Sequence, residues 1–183
     1  MSEPLVVLGV VASPTVGGRT AAAVNGILSG AAESGASTSV LELSTADRDE
    51  VIAAIAAADA VVFGSPVYRA TYSALLKDLL ENVERGKHGE QTAPLRGKAV
   101  ALALTGASAH HFLSPDSLRN VLASFFAVQV LSPALYLEHA DFADRDTLGE
   151  AAGHTARHHG SALADLAGAV RHSKALSSLD PLV

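Results

Sequence analysis

The sequence predicts an α/β fold, a five-stranded parallel sheet between two layers of helices. Residues 5–12, 59–63 and 98–104 are short, nearly continuous aliphatic runs, as strands buried on both faces should be. Each is followed by a polar loop and then by apolar positions at helical spacing. With right-handed crossovers, that alternation leaves few strand orders, of which 2-1-3-4-5 is the natural one.

At 183 residues and 18.6 kDa the chain accommodates one domain with one substantial core, assigned to residues 1–175, with residues 176–183 as a C-terminal tail. A hydrophobic fraction of 49% and a mean hydropathy of +0.28 fit a compact protein rather than a disordered one. No apolar run approaches the ~20 residues of a membrane span. The 5–12 run is too short for a signal peptide and follows Glu3 with no basic residue, so a cytoplasmic protein without membrane contact is expected. The absence of cysteine excludes disulfides, thiol catalysis and thiolate metal sites. Thirteen Lys and Arg against 19 Asp and Glu give a net charge of -6, which argues against a nucleic-acid surface but leaves room for a local phosphate pocket.

After the first strand, Ser13-Pro14-Thr15-Val16-Gly17-Gly18-Arg19-Thr20 leads into an alanine-rich helix to about residue 33. A strand, a Gly/Ser/Thr loop and a helix start together present free N–H groups and a positive dipole end, an anion site. The loop has neither the Gly-Lys-Ser/Thr of a P-loop nor Gly-x-Gly-x-x-Gly. The Ser13, Thr15 and Thr20 hydroxyls with Arg19 suit a phosphate monoester, and a plain surface turn is the alternative. Residues 37–43 read as the second strand, and the acidic cluster from Asp47 to Glu50 as the first turn of a helix reaching about residue 58.

The third strand ends in Gly64-Ser65-Pro66-Val67-Tyr68-Arg69-Ala70-Thr71-Tyr72-Ser73, read as an exposed loop. Two tyrosines, an arginine and several hydroxyls suit it to hold something flat; a turn whose tyrosines cap the core is the alternative. Leu75, Leu76, Leu79, Leu80 and Val83 then mark a helix, and residues 85–96 a polar, mobile connection. The fourth strand delivers Thr105-Gly106-Ala107-Ser108-Ala109-His110-His111, with a helix starting near Ser114-Pro115-Asp116. Residues 128–131 and 134–137 supply the fifth strand and its extension. Residues 144–173 form the closing helix, with Thr147 and Glu150 at capping-box spacing, and residues 177–183 a loose tail. The loops after strands one, three and four meet at one edge, which argues for a single ligand site. Glu150, His154 and His158 share a helix face but supply no closed coordination sphere, so no functional metal is expected.

Three segments carry a family resemblance. Pro66-Val67-Tyr68-Arg69-Ala70-Thr71-Tyr72-Ser73 resembles the Pro-Val-Tyr-Lys/Arg-x-x-Tyr-Ser segment of the NADPH-dependent FMN reductase family. The 12–20 loop is similar to that family's Gly-Ser-Pro-x-x-x-Ser-Arg-Thr, with Ala12 for Gly and Gly18 for Ser, and Thr105 to His111 to its Thr-Gly-Gly-x-x-x-His. The likeness covers roughly residues 5–169 and implies a flavodoxin-like three-layer sandwich and an NAD(P)H-dependent reductase of FMN. It implies that Ser13, Arg19 and Thr20, with the backbone of Gly17 and Gly18, hold the FMN phosphate. Pro66, Val67, Tyr68 and Arg69 would pack along the isoalloxazine, with Thr71 and Tyr72 in the same supporting segment. Thr105, Gly106 and Ser108 would donate toward N1 and the C2 carbonyl, and His111 would line the same edge. Arg69 is also the position for the NADPH (or NADH) phosphates.

Hydride transfer belongs to the two cofactors, so no catalytic residue is assigned. One subgroup of the family inserts a tyrosine in the helix after the third loop; Asp116-Ser117-Leu118 has no insertion, and an ordinary helix is expected. The resemblance also implies a homodimer or homotetramer, for which Phe125-Phe126 and the leucine-rich third helix offer apolar surface, and a flavin-dependent monooxygenase as recipient of reduced flavin. The alternatives are a quinone or azo reductase with bound FMN, and a non-catalytic flavodoxin-like electron carrier. The lack of Trp and the arginine in the first loop argue against the carrier.

Overall fold

The computed structural model describes residues 3–182. Its sheet is parallel, of order β2-β1-β3-β4-β5, as expected, with β1 Val6–Val11, β2 Ser37–Glu42, β3 Ala60–Pro66, β4 Ala99–Thr105 and β5 Gln129–Val130. A further short strand, β6 (Leu135–Leu137), pairs with the far end of β4, so β5 and β6 are the predicted fifth strand and its extension, with the cis Ser132–Pro133 bond between them. No helix of the described residues is long and apolar enough to cross a membrane.

Side-chain alternation along β4 divides the core. Val100, Leu102 and Leu104 point into a layer built from α2 (Arg48–Ala57), α3 (Ala74–Asn82) and α4 (Pro115–Asn120). Ala99, Ala101 and Ala103 face α1 (Gly18–Glu33) and α5 (Glu150–His172). Small residues on that second face let α1 sit low: methyls added at Gly9 and Gly64 would meet Val24 at 2.6 and 2.2 Å. Helices α1 and α5 approach as closely, since a methyl on Gly30 would stand 1.9 Å from Arg157 O and one on Gly160 1.9 Å from Ile27 O. The leucine stripe of α3 is core, with Leu76, Leu79 and Leu80 all buried.

Four boundaries differ from the sequence expectation. Strand β3 continues through Gly64, Ser65 and Pro66, paired with Ala103, Leu104 and Thr105, so the loop starts at Val67. The missing Pro66 N–H leaves no ladder bond unmade, because β1 ends at Val11 opposite Gly64 and the next carbonyl, Ala12 O, accepts from the Ser73 hydroxyl at 2.7 Å instead. Helix α5 starts at Glu150 rather than at residue 144, with Gly149 as N-cap and no side-chain cap from Thr147. Asp144 instead accepts the Asp146 N–H at 2.9 Å, and Phe142 bridges Leu148, which closes residues 142–148 into a loop. The helix after the third loop is not ordinary throughout: α4 runs into a π turn, Val121–Phe125, closed by Phe126 N–H to Val121 O at 3.2 Å. The wider turn delivers Phe126 to the core and leaves Phe125 half exposed. The tail, expected to be loose, is tied by Asp180 to Arg96 at 2.5 Å after a short helix, α6 (Lys174–Ser177); Val183 lies outside the described residues.

The polar connection after α3 is held by two of its own carboxylates. Glu84 accepts from the Thr92 hydroxyl at 2.6 Å and its N–H at 2.8 Å, and Glu90 from the N–H groups of Arg85 and Lys87 at 2.8 and 3.2 Å. These bonds favour the ionised forms and lower both pKa values below the ordinary 4.5. The folded protein therefore binds fewer protons here than the unfolded chain, and the bonds stabilise it above pH 4.5, an advantage lost as pH falls through the folded-state values. Carboxyl NMR titration is expected to place both midpoints below 4.5, with Thr92→Val moving Glu84 back toward it. At the helix contact, Gly160→Ala is expected to cost about 3 kcal/mol and lower Tm by about 6–12 °C in a thermal melt, because only backbone stands in the way of the new methyl.

Candidate functional site

Strands β1, β3 and β4 end together, and the loops leaving them are fastened to one another. Ala12 N–H donates to Gly64 O at 2.7 Å, and the buried Ser73 hydroxyl donates to Ala12 O at 2.7 Å while accepting from Leu76 N–H as the N-cap of α3. Ser65 Oγ takes the Ser73 N–H at 2.8 Å, and Val67 N–H reaches Thr105 O at 2.8 Å. Thr20 and Thr105 share a buried hydroxyl–hydroxyl bond of 2.8 Å. The loops enclose a cavity of about 370 Å³.

The first loop supplies Ser13, Thr15, Gly17, Gly18, Arg19 and Thr20 to its wall. Gly17, at φ 72° and ψ -150°, and Gly18, at φ 76°, take conformations that side chains resist, which accounts for glycine where the related motif has Ser. Both N–H groups meet carboxylates: Gly17 donates to Glu42 Oε2 and Oε1 at 3.0 and 3.2 Å, and Gly18 to Asp146 Oδ1 at 2.6 Å. Arg19 holds its guanidinium 5.7 Å from the centre of the Phe142 ring, with its Nε buried and without a hydrogen-bond partner among the described residues.

From the second loop, Pro66, Val67 and Tyr68 line the cavity. The segment folds back on itself: Tyr68 and Thr71 exchange backbone bonds of 2.9 and 3.1 Å around Arg69 and Ala70, both at positive φ. Tyr68 is half exposed. Arg69 occupies the turn, Thr71 Oγ1 lies 3.1 Å from Ser117 Oγ, and Tyr72 is buried in the apolar cluster that contains Leu76, so these three stand outside the lining. One of the two tyrosines thus belongs to the core and the other to the cavity.

The third loop contributes Thr105, Gly106 and Ala107. The Gly106 N–H is engaged by Leu137 O at 2.9 Å. Ser108 and His111 are not part of the lining; Ser108 Oγ faces His110 Nδ1 at 3.4 Å, and His111 sits exposed in a single 3-10 turn, Ala109–His111. Ser108 O accepts from the Tyr136 hydroxyl at 2.7 Å. Burial, and then the nearby Glu138 carboxylate, push the Tyr136 phenol above its ordinary 10.0, which keeps the donor protonated.

Besides Ala107, two lining residues are not assigned by the sequence, His139 and Arg145, both from the segment after β6. The signal for them is topological: that segment leaves the carboxyl end of a strand at the same sheet edge, although the Thr147 and Glu150 spacing mimics a helix start there. Arg145 brings its Nε within 3.6 Å of where a Gly18 side chain would begin. The cavity therefore has two guanidiniums, Arg19 and Arg145, at its helix end and Val67 and Tyr68 at the other, with no carboxylate in its lining. Such a lining suits an anion beside a planar apolar group. Among the described residues no three His, Cys, Asp or Glu side chains are grouped to hold a metal ion.

The chain is similar to known proteins in sequence and in fold. The family model described as NADPH-dependent FMN reductase matches residues 5–141. The chain is 38% identical over 95 residues to the NADH-dependent FMN reductase SfnF of Pseudomonas putida, covering 52% of this chain and 47% of that protein. It is 34% identical over 97 residues to FMN reductase (NADPH) of Pseudomonas aeruginosa, covering 53% and 48%. The chain spans about half the length of the curated relatives it matches. Among solved structures, NADH:FMN oxidoreductase (EMOB), apo form, superposes with a TM-score of 0.77 at 20% identity, covering 96% of this chain and 95% of that one. An archaeal flavodoxin gives 0.68 at 16% identity, covering 90% and 99%. These two likenesses establish a flavodoxin-like fold.

Tyr136→Phe removes the hydroxyl that donates to Ser108 O and is expected to lower stability by about 1 kcal/mol in urea unfolding. In an ultraviolet titration, the phenol ionising above 10.0 should disappear from the variant.

Proposed function

The chain belongs to the NADPH-dependent FMN reductase family, and from that membership we propose that it binds FMN in the cavity above and reduces it with NADH or NADPH. The observation that carries the reading is the junction of an arginine-lined cradle with the Pro66-Val67-Tyr68 wall in one cavity. The buried, unpaired Arg19 Nε supports the fit, since a phosphate oxygen would satisfy it. When bound, the flavin and the nicotinamide supply the hydride chemistry.

The chain's part is to bind and orient. Ser13, Thr20 and Arg19 with the Gly18 N–H hold the phosphate, while the Gly17 N–H, assigned to it from the sequence, stays on Glu42; Pro66, Val67 and Tyr68 flank the ring, backed by Thr71 and Tyr72. Thr105 and the Gly106–Ser108 backbone, with His111 beyond, border the ring's polar edge. Arg69, on an exposed turn next to Tyr68, receives the nicotinamide nucleotide's phosphates. Half-exposed Tyr68 leaves that side open to a second planar group. A homodimer or homotetramer is supported by the exposed Phe112 and Leu113 beside the third loop, together with Phe125. Release of reduced flavin to a flavin-dependent monooxygenase is the onward step of this reading.

The test is an anaerobic titration of the FMN-saturated protein with NADPH and, in parallel, NADH, following the oxidised flavin band. Rapid bleaching by at least one nucleotide is expected. FMN binding without bleaching would leave an electron carrier, and no FMN binding would remove the site. Arg19→Ala is expected to weaken FMN binding about ten- to a hundredfold, the worth of a charge-assisted hydrogen bond.

A further inference from the structure

Asp146 accepts the hydrogen bond that a phosphate at the start of α1 would take. Its Oδ1 lies 2.6 Å from Gly18 N. Helix α1 has no side-chain cap of its own, because Gly17 is its N-cap. The carboxylate arrives from the 142–149 loop, which is closed by the Phe142–Leu148 bridge and by Gly149 N–H on Asp141 O at 2.8 Å. The residue before it, Arg145, lays its guanidinium against Gly18 from the cavity side, with Nε 3.6 Å and Nη2 3.8 Å from where a Cβ would stand. Arg145 takes part in none of the ion pairs among the described residues. One loop therefore places an anion on the Gly18 N–H and an unpaired cation beside the same glycine.

The neighbouring bond differs in kind. Gly17 donates to Glu42, which sits at the end of β2 and is held by the sheet. Asp146 is exposed and tied locally only through its N–H to Asp144. The buried Nε of Arg19, on the same helical turn, has no partner and marks this end of the cavity as one that awaits an acceptor.

Resting on the reading that the cavity holds FMN, we propose that the 142–149 loop is an exchange latch for the flavin phosphate. Asp146 competes with the phosphate for the Gly18 N–H, and Arg145 pairs with the phosphate once the carboxylate has swung away. A carboxylate and a phosphate dianion cannot share one donor without like-charge repulsion, so part of the phosphate's binding energy is spent on displacing Asp146. The latch acts only on phosphorylated flavin. It makes FMN an exchanging ligand and leaves a flavin without phosphate unaffected.

The test is an equilibrium titration of the full chain with FMN and with riboflavin, followed by flavin fluorescence, for the wild type, Asp146→Ala, Asp146→Asn and Arg145→Ala. Both Asp146 variants are expected to bind FMN about three- to tenfold more tightly, and Arg145→Ala about fivefold more weakly, with riboflavin unchanged in all three. The asparagine keeps an acceptor for Gly18 N–H without the charge, so it decides the matter where the alanine variant unfolds. FMN affinity unchanged or lowered in Asp146→Asn overturns the latch and leaves Asp146 as a remote helix cap. FMN affinity unchanged in Arg145→Ala overturns the role of the cation. A wild type that binds neither flavin overturns the underlying reading instead, and is distinguishable because no variant enters that comparison.

Discussion

The low seat of α1 is the constraint on which the rest of the structure depends. Val24 presses into space that exists because Gly9 and Gly64 have no side chains, and the contact of Gly30 with Gly160 brings α5 against the same helix. Packing at this distance fixes the height and axial position of α1 relative to the sheet, since interiors at crystal-like density do not slide. The first turn of α1 therefore stands at the end of β1, where Thr20 meets Thr105 across the top of β3. A helix held 1 or 2 Å higher by ordinary side chains, on the order of one methyl's thickness, would separate that pair and open the cradle.

On this frame the loops are locked by serines rather than by length. Ser65 and Ser73, both fully buried, join the end of β3, the start of α3 and the end of β1 through one connected set of bonds. Each hydroxyl also answers a backbone group that would otherwise be buried unpaired. The sequence gives these two serines the look of ligand-binding hydroxyls. Their work is to hold Val67 and Tyr68 in place, which is a precondition of binding rather than part of it.

The strand order and most element ends were legible because the signal for them is strong and local: aliphatic runs for buried strands, leucine spacing for α3, and an acidic start for α2, in which Asp47 proves to be the N-cap. The end of β3 was hidden because Gly64, Ser65 and Pro66 have turn composition, and only their pairing with β4 shows that they are strand. The start of α5 was hidden because Thr147 and Glu150 mimic a cap, while Asp144 draws the chain into a turn through a bond that spacing does not reveal. That misplacement also concealed Arg145. The π turn has no sequence mark of its own; it follows from the need to bury Phe126. Of the aromatic loop, composition showed that something flat is held, but the division of Tyr68 to the cavity and Tyr72 to the core is a tertiary fact.

The two ends of the cavity are built to different standards. At the helix end the donors are backbone groups of a packed helix. At the other end Tyr68 rides on a two-residue turn in which Arg69 and Ala70 both adopt the left-handed region, at φ 53° and 65°. Each such residue costs on the order of 1 kcal/mol, so the turn persists because the Tyr68–Thr71 bridge and the Thr71–Ser117 contact offset it. The strain has a geometric use: a turn with both central residues at positive φ matches the strand twist and keeps Tyr68 beside Val67 with few freedoms left. On the proposed function the reacting groups belong to the bound nucleotides, so orientation is what the protein can add. A wall that is ordered before binding loses little entropy on binding, and that holds whichever face of the ring it meets.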